Sequence, residues 1–331
     1  MHDLLTLRDA LEMKRKKTSR LFSEYVNPGM GKLFSRYGFE RRFIKAKGMY
    51  VVDEDNRTYL DFLGGYGALN YGHNPDFAVK ALSLAAKFPN FLQAGVSSFQ
   101  AVLAYNLSKI IQGNLKITYF SSSGSEAVEF AVKISRAYTG KKYILYNEGA
   151  YHGITSGALS ITDNDKYKKG FIPSTDHTNA VPYADINALE RKLSTGNYAA
   201  YIFEPVQGES GMIVPPEGYL KKAQEISRKN NVLFIADEIQ TGFGRTGKNF
   251  ACEHDGLTPD IITLDKSLGA GIMPIGATLI KEEIWKKVMG DSDSCTTHSS
   301  TFGGNTWACV CGIEAVNYLI RENISQRTGE L

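Results

Sequence analysis

Short apolar runs separated by longer stretches of helical spacing set the rhythm of this chain. Ile117–Phe120, Tyr143–Tyr146, Ala200–Phe203, Val232–Ala236, Ile261–Leu264 and Ala277–Ile280 read as strands. Helical periodicity lies between them, as in Ala127–Tyr138, and returns in Thr306–Ile320. This alternation predicts an α/β domain with a mainly parallel sheet. Ahead of it, Met1–Phe22 reads as one amphipathic helix with the basic run Lys14-Arg15-Lys16-Lys17. After Glu24–Gly29 a strand-rich stretch is expected, with Met49–Val52 and Thr58–Phe62 forming a hairpin around Asp53–Arg57. Gly64–Gly67 and Tyr71–Pro75 come next as loop, then a helix over Val79–Phe88. There is no internal repeat and no low-complexity segment.

The residues just beyond the apolar runs carry more information than the runs themselves. Ser121-Ser122-Ser123-Gly124-Ser125 comes after the first, Glu204 after the third, Asp237 after the fourth, and Lys266 two residues after the fifth. In open parallel sheets a ligand sits beyond the carboxyl ends of the strands. Small polar residues, two acids and a lysine are therefore expected in one crevice.

Composition narrows the setting. Hydrophobic content of 43%, charged content of 22% and a net charge of +3 over 331 residues fit an ordinary soluble protein. They give no reason to expect a nucleic-acid or membrane partner. Asp3, Asp9 and Glu12 argue against a secretory or transit segment, and no stretch approaches a membrane span, so a cytoplasmic location is expected. Cys252, Cys295, Cys309 and Cys311 read as free core thiols; Cys309 and Cys311 would face different sides of a helix and make a poor metal pair.

Each candidate group also has a plainer reading. Ser121–Glu126 precedes a helix, where backbone N–H groups and the dipole suit a phosphate, or where a serine and Glu126 form a capping box. Asp237, directly after Val232–Ala236, needs a partner; a protonated pyridine nitrogen or an internal pair with Arg245 would serve. Lys266, beside Ser267–Gly271, could be a desolvated nucleophilic amine or an ordinary surface lysine. Gly242–Lys248 has the spacing of a P-loop, but Asn249 stands where magnesium needs a hydroxyl, and no strand leads directly into it.

Taken in order, Tyr59-Leu60-Asp61, Ser123–Ala127, Tyr151-His152-Gly153, Glu204–Glu209, Asp237–Gly247, Lys266–Gly269 and Thr301–Asn305 resemble the class III, fold type I, pyridoxal-phosphate-dependent aminotransferases. The Glu24–Gly29 opening, Phe250–His254 and Met273–Ala277 are most similar to putrescine aminotransferases, then to ornithine and acetylornithine aminotransferases. The resemblance implies a large domain with a mainly parallel seven-stranded sheet and a smaller α+β domain. Residues 1–62 would contribute to the small domain, 63–305 would form the cofactor domain, and 306–331 would begin a C-terminal region. It assigns pyridoxal 5'-phosphate as cofactor, with Lys266 as Schiff-base lysine and proton shuttle and Asp237 on the ring nitrogen. Ser123, Gly124 and Ser125 would take the phosphate, Tyr151 and Ile239 the ring faces, and Gln240 the ring hydroxyl. His152 and Glu204 would complete that shell, Glu209 and Tyr66 would meet the substrate, and Thr301 would act across a homodimer.

The activity so implied is ping-pong transfer of the terminal amino group of a diamine or ω-amino acid to a 2-oxo acid such as 2-oxoglutarate. The alternatives are another fold type I reaction, aminomutase or racemase, or a fragment that binds the cofactor without full turnover. The chain departs from the family pattern by ending at Leu331, at Asn305-Thr306-Trp307, and at Asp265, where a small residue commonly precedes the lysine.

Overall fold

The computed structural model describes residues 4–90, 95–171 and 176–331. The chain divides into two compact units, Met1–Gly64 with Gly72–Asn74, and Gly65–Tyr71 with Pro75–Leu331.

In the first unit three helices precede a small antiparallel sheet. Met1–Asp3, where the predicted N-terminal helix would begin, lie outside the described residues. The rest of that helix is broken into Leu7–Glu12 and Arg15–Tyr25, with Met13 extended between them. Thr6 and Asp9 cap the first piece reciprocally, and neither piece buries a residue, so no shared apolar face requires one continuous helix. The expected strand-rich stretch also starts later than its sequence suggested. Asn27 accepts the Met30 N–H at 2.9 Å and Pro28 occupies the first helical position, starting a further helix, Pro28–Tyr37. Strands β1 (Phe43–Lys47), β2 (Tyr50–Asp53) and β3 (Thr58–Leu60) then form the sheet, and β2–β3 is the predicted hairpin. Asp53 fixes its turn by accepting the N–H groups of Asp55 and Arg57.

The second unit holds a seven-stranded sheet. Its strands are β4 (Leu115–Ser121), β5 (Tyr143–Asn147), β6 (Thr178–Val181), β7 (Tyr198–Phe203), β8 (Leu233–Asp237), β9 (Ile261–Leu264) and β10 (Gly276–Lys281). The order is β4-β10-β9-β8-β7-β5-β6, parallel from β9 to β6, with β10 antiparallel to both neighbours. All the predicted strands are present. The edge strand β6 had no prediction, because its four residues, Thr-Asn-Ala-Val, make too short and too polar a run to register.

Both faces of the sheet are apolar, which explains the continuous runs. Ala200, Ile202, Ile235, Ile261 and Ile280 face the Gly124–Thr139 helix through Val128, Ala131 and Ile134. Tyr201, Phe203, Phe234, Ile262, Leu264 and Leu279 face the opposite core with Leu103, Leu107, Leu189, Leu220 and Leu319. Neighbouring residues of β7 and β8 thus anchor opposite layers, and the strand ends between the layers are held rigidly. Among the described residues no helix is long and apolar enough to cross a membrane.

Candidate active site

The parallel strands deliver the candidate groups at one end of the sheet, and all of these groups belong to the second unit. Asp237 is the last residue of β8 and only 4% exposed. Its Oδ2 lies 2.7 Å from His152 Nδ1, and its Oδ1 accepts from Thr263 Oγ1 at 3.1 Å and from the Ile239 N–H at 3.2 Å. Strand register explains the Thr263 contact, since Asp237 pairs with Thr263 across β8–β9. The alternative partner, Arg245, is engaged elsewhere, donating to the Gly67 carbonyl at 3.1 Å and to the Asn70 side chain. His152 is buried, and among the described residues its Nε2 has no hydrogen-bond partner. A buried orphan beside a buried carboxylate marks a site whose polar demand exceeds what the described residues supply.

Glu204 ties two loops together. Its carboxylate accepts the Tyr151 N–H at 2.9 Å and the Gly208 N–H at 3.1 Å, which places the loop carrying Glu209 beside the one carrying Tyr151. Burial pushes its carboxyl above the ordinary value, against the pull of His152. Burial likewise raises the Tyr151 hydroxyl, with smaller effects from Tyr167 and Glu209. Glu209 is exposed, and Tyr66 is 68% exposed with its carbonyl 3.3 Å from Gln240 Nε2.

The Ser123–Glu126 turn is a true cap. Ser123 Oγ accepts the Glu126 N–H at 3.3 Å, and Glu126 reaches back to the Ser122 N–H at 2.8 Å. Gly124 opens the helix, and its N–H donates to Asp265 Oδ2 at 2.9 Å. A Cβ at Gly124 would lie 2.8 Å from Ile239 Cδ1, so the backbone here runs close against the Ile239 and Asp265 side chains. Ser125 Oγ accepts the Ile154 N–H at 3.2 Å, joining this turn to the Tyr151–Gly153 loop.

Lys266 begins a short 3₁₀ turn after β9 with φ 48°, a left-handed conformation uncommon for a side-chain-bearing residue. It is half-buried, and among the described residues no hydrogen bond engages its ammonium. Thr301 lies next to Ser300, whose hydroxyl contacts Ser122 Oγ at 3.3 Å and Glu126 Oε2 at 3.2 Å beside the helix-start turn. Thr301 is exposed and lines a surface cleft of about 580 Å³ with Glu126, Lys133 and His298, and a second of about 340 Å³ with Gln100 and Gly304.

Sequence reasoning passed over Thr263 and Glu238. Glu238 is fully buried, accepting from the Thr241 hydroxyl and from the N–H groups of Ala251 at 3.0 Å and Cys252 at 2.7 Å. An acid paired with Asp237 directly after an apolar strand was the available signal. The expectation of four core thiols fails at Cys295, which is exposed on a turn, while the other three are buried and free. Among the described residues no cluster of His, Cys, Asp and Glu is suited to a metal.

The profile of the family described as "Aminotransferase class-III" matches residues 37–331. This chain belongs to that family. It is 41% identical over 318 residues to "Aminotransferase PigE" of Serratia sp. (strain ATCC 39006), covering 95% of this chain and 37% of that protein. It therefore spans little more than a third of that curated relative's length. Among solved structures, the ornithine aminotransferase of Toxoplasma gondii ME49 is similar at 33% identity and TM-score 0.87, covering 97% of this chain and 75% of that one. An (S)-enantioselective omega-transaminase from Thermomicrobium roseum shares 28% identity at TM-score 0.87, with 94% and 76% covered. These neighbours place the chain in the fold type I α/β architecture.

Pyridoxal phosphate is the cofactor of the family. The residues present suit it: a buried carboxylate fixed on both oxygens, an orphaned imidazole nitrogen, a half-buried lysine at a strand end, and a helix start that already attracts an anion.

Proposed function

We propose that this chain holds pyridoxal phosphate at the carboxyl ends of β7, β8 and β9 and moves amino groups from an amine donor to a 2-oxo acid. Asp237 carries the reading: a buried carboxylate, oriented by His152 and Thr263, at the end of the strand beside the one that delivers Lys266. When bound, the cofactor supplies an electron sink for negative charge on the carbon beside the amine nitrogen.

Asp237 would keep the ring nitrogen protonated through a charge-assisted hydrogen bond, and His152 would hold that carboxylate in place. Gly124 and Ser125 would present N–H groups to the phosphate, with Ser123 supporting the turn. Tyr151 and Ile239 would flank the ring, Gln240 would meet its hydroxyl, and Glu204 would hold the Tyr151 loop. The Lys266 amine would anchor the cofactor covalently and, once displaced by an incoming amine, carry the proton between carbons.

The donor we favour is a diamine or ω-amino acid of the putrescine or ornithine kind, and the acceptor 2-oxoglutarate. The ornithine aminotransferase similarity and the exposed Glu209 carboxylate, suited to a distal ammonium, support this. Thr301 is exposed, which fits a homodimer in which it serves the neighbouring subunit. The test is a spectral titration with pyridoxal phosphate, then putrescine, ornithine or 4-aminobutyrate, then 2-oxoglutarate. The cofactor absorbance should change on adding amine and recover on adding the oxo acid. A borohydride-trappable adduct surviving Lys266→Ala, or amine-driven change without recovery, would overturn the proposal.

A further inference from the structure

Asp265 joins β9 to Lys266, and its side chain turns toward the start of the Gly124–Thr139 helix. Its Oδ2 accepts the Gly124 N–H at 2.9 Å, and a Cβ added at Gly124 would lie 2.9 Å from that same oxygen. No space separates the acid from the helix start. The Glu126 N–H of the same turn is already taken by Ser123 Oγ. The first turn of a 16-residue helix favours an anion, and here the chain's own carboxylate takes the leading donor.

We propose that Asp265 is a built-in competitor for the cofactor phosphate, whose carboxylate must leave the Gly124 N–H before phosphate can be received there, so that it sets how tightly the cofactor is held. The inference rests on the reading that Gly124 and Ser125 receive phosphate. Two anions cannot share one backbone donor, and a carboxylate beside a phosphate repels it wherever it moves within the crevice. The acid is not free of cost in its present position either. Burial pushes its carboxyl above the ordinary value and nearby Asp237 adds to this, while the Lys266 and Gly124 N–H groups and the Lys266 charge pull the other way. Receiving phosphate at Gly124 breaks the 2.9 Å contact that Asp265 makes there, which is the property of a competitor and not of a passive neighbour.

Asp265→Asn keeps an oxygen that can accept from Gly124 and removes the charge. Dissociation constants for pyridoxal phosphate and for pyridoxal, which lacks the phosphate, are measured by absorbance and fluorescence titration of the full chain and the variant. The variant should bind pyridoxal phosphate about tenfold or more tightly than the wild type, with pyridoxal changed by less than about twofold. Asp265→Ser provides the same comparison should the asparagine variant fold poorly by circular dichroism. Wild type that binds the cofactor, with a variant that binds it equally or more weakly, overturns the inference. An equal gain for both ligands also overturns it, since the effect would then not act on phosphate. Wild type that forms no borohydride-trappable adduct with pyridoxal phosphate would instead sink the underlying functional reading.

Discussion

Glu238→Ala tests whether the turn after Asp237 is held by one buried acid. In the native chain Glu238 accepts from the Thr241 hydroxyl and from the Ala251 and Cys252 N–H groups, with no exposure to water. Truncation leaves two backbone donors buried without partners, each costing about 1–3 kcal/mol. The void left by the missing carboxyethyl group adds about 1 kcal/mol. Release from burying an acid offsets part of this, so the net destabilisation is about 3–5 kcal/mol, the range for breaking a buried charged network. For 331 residues the unfolding entropy is about 0.7 kcal/mol per degree, so Tm should fall by about 6 °C. Glu238→Gln keeps the size and one accepting oxygen but turns an amide against a donor, and should cost about 1–3 kcal/mol. Urea unfolding followed by far-ultraviolet circular dichroism, with a parallel thermal scan, measures both variants. If Glu238→Ala unfolds within about 1 kcal/mol of the wild type, the three accepted bonds do not hold this turn and the reasoning is wrong.

The same geometry gives other expected outcomes. Asp237→Asn keeps the Thr263 and Ile239 contacts but turns an amide toward His152, so it should cost about 1–3 kcal/mol of stability and lower kcat/KM at least about 100-fold in a coupled transaminase assay. Gly276→Ala would place a Cβ 2.2 Å from the Ser123 carbonyl, a backbone atom that cannot step aside cheaply. A Cβ at Gly208 meets the end of the Gln240 side chain, which can move. Gly276→Ala should therefore weaken both folding and pyridoxal-phosphate binding, while Gly208→Ala lowers cofactor affinity with little loss of stability; calorimetry and cofactor titration separate the two. For pH, folding raises the Glu204 carboxyl above its ordinary value of 4.5, so the native chain keeps a proton that the unfolded chain has released. Its stabilising share is full below 4.5 and is lost as pH rises toward the folded value. Denaturant unfolding from pH 4 to 8 should show wild type losing stability relative to Glu204→Gln over that window.

The sequence by itself determined the strands and which polar groups stand at their ends. Apolar runs buried on both faces cannot be hidden in any other way, so Ala200–Phe203 and Val232–Ala236 were legible as strands of a covered parallel sheet. Glu204 and Asp237, at the ends of these runs, were legible as crevice groups because strand direction fixes which end of the sheet they reach. The helices before residue 43 were misjudged in extent because local caps at Thr6 and Asn27, not apolar periodicity, decide where they begin.

Only the tertiary structure decided partners. Asp237 had two plausible ones by sequence, and neither is its intramolecular contact: His152, 85 positions away, and Thr263 across the ladder hold it, while Arg245 binds Gly67 and Asn70. Asp265 was visible as an oddity next to Lys266, but its contact with Gly124 spans 141 positions. Periodicity reports which face a residue occupies within its own element. Which distant atom completes a buried charge depends on how separate elements pack, and that is set by the whole core.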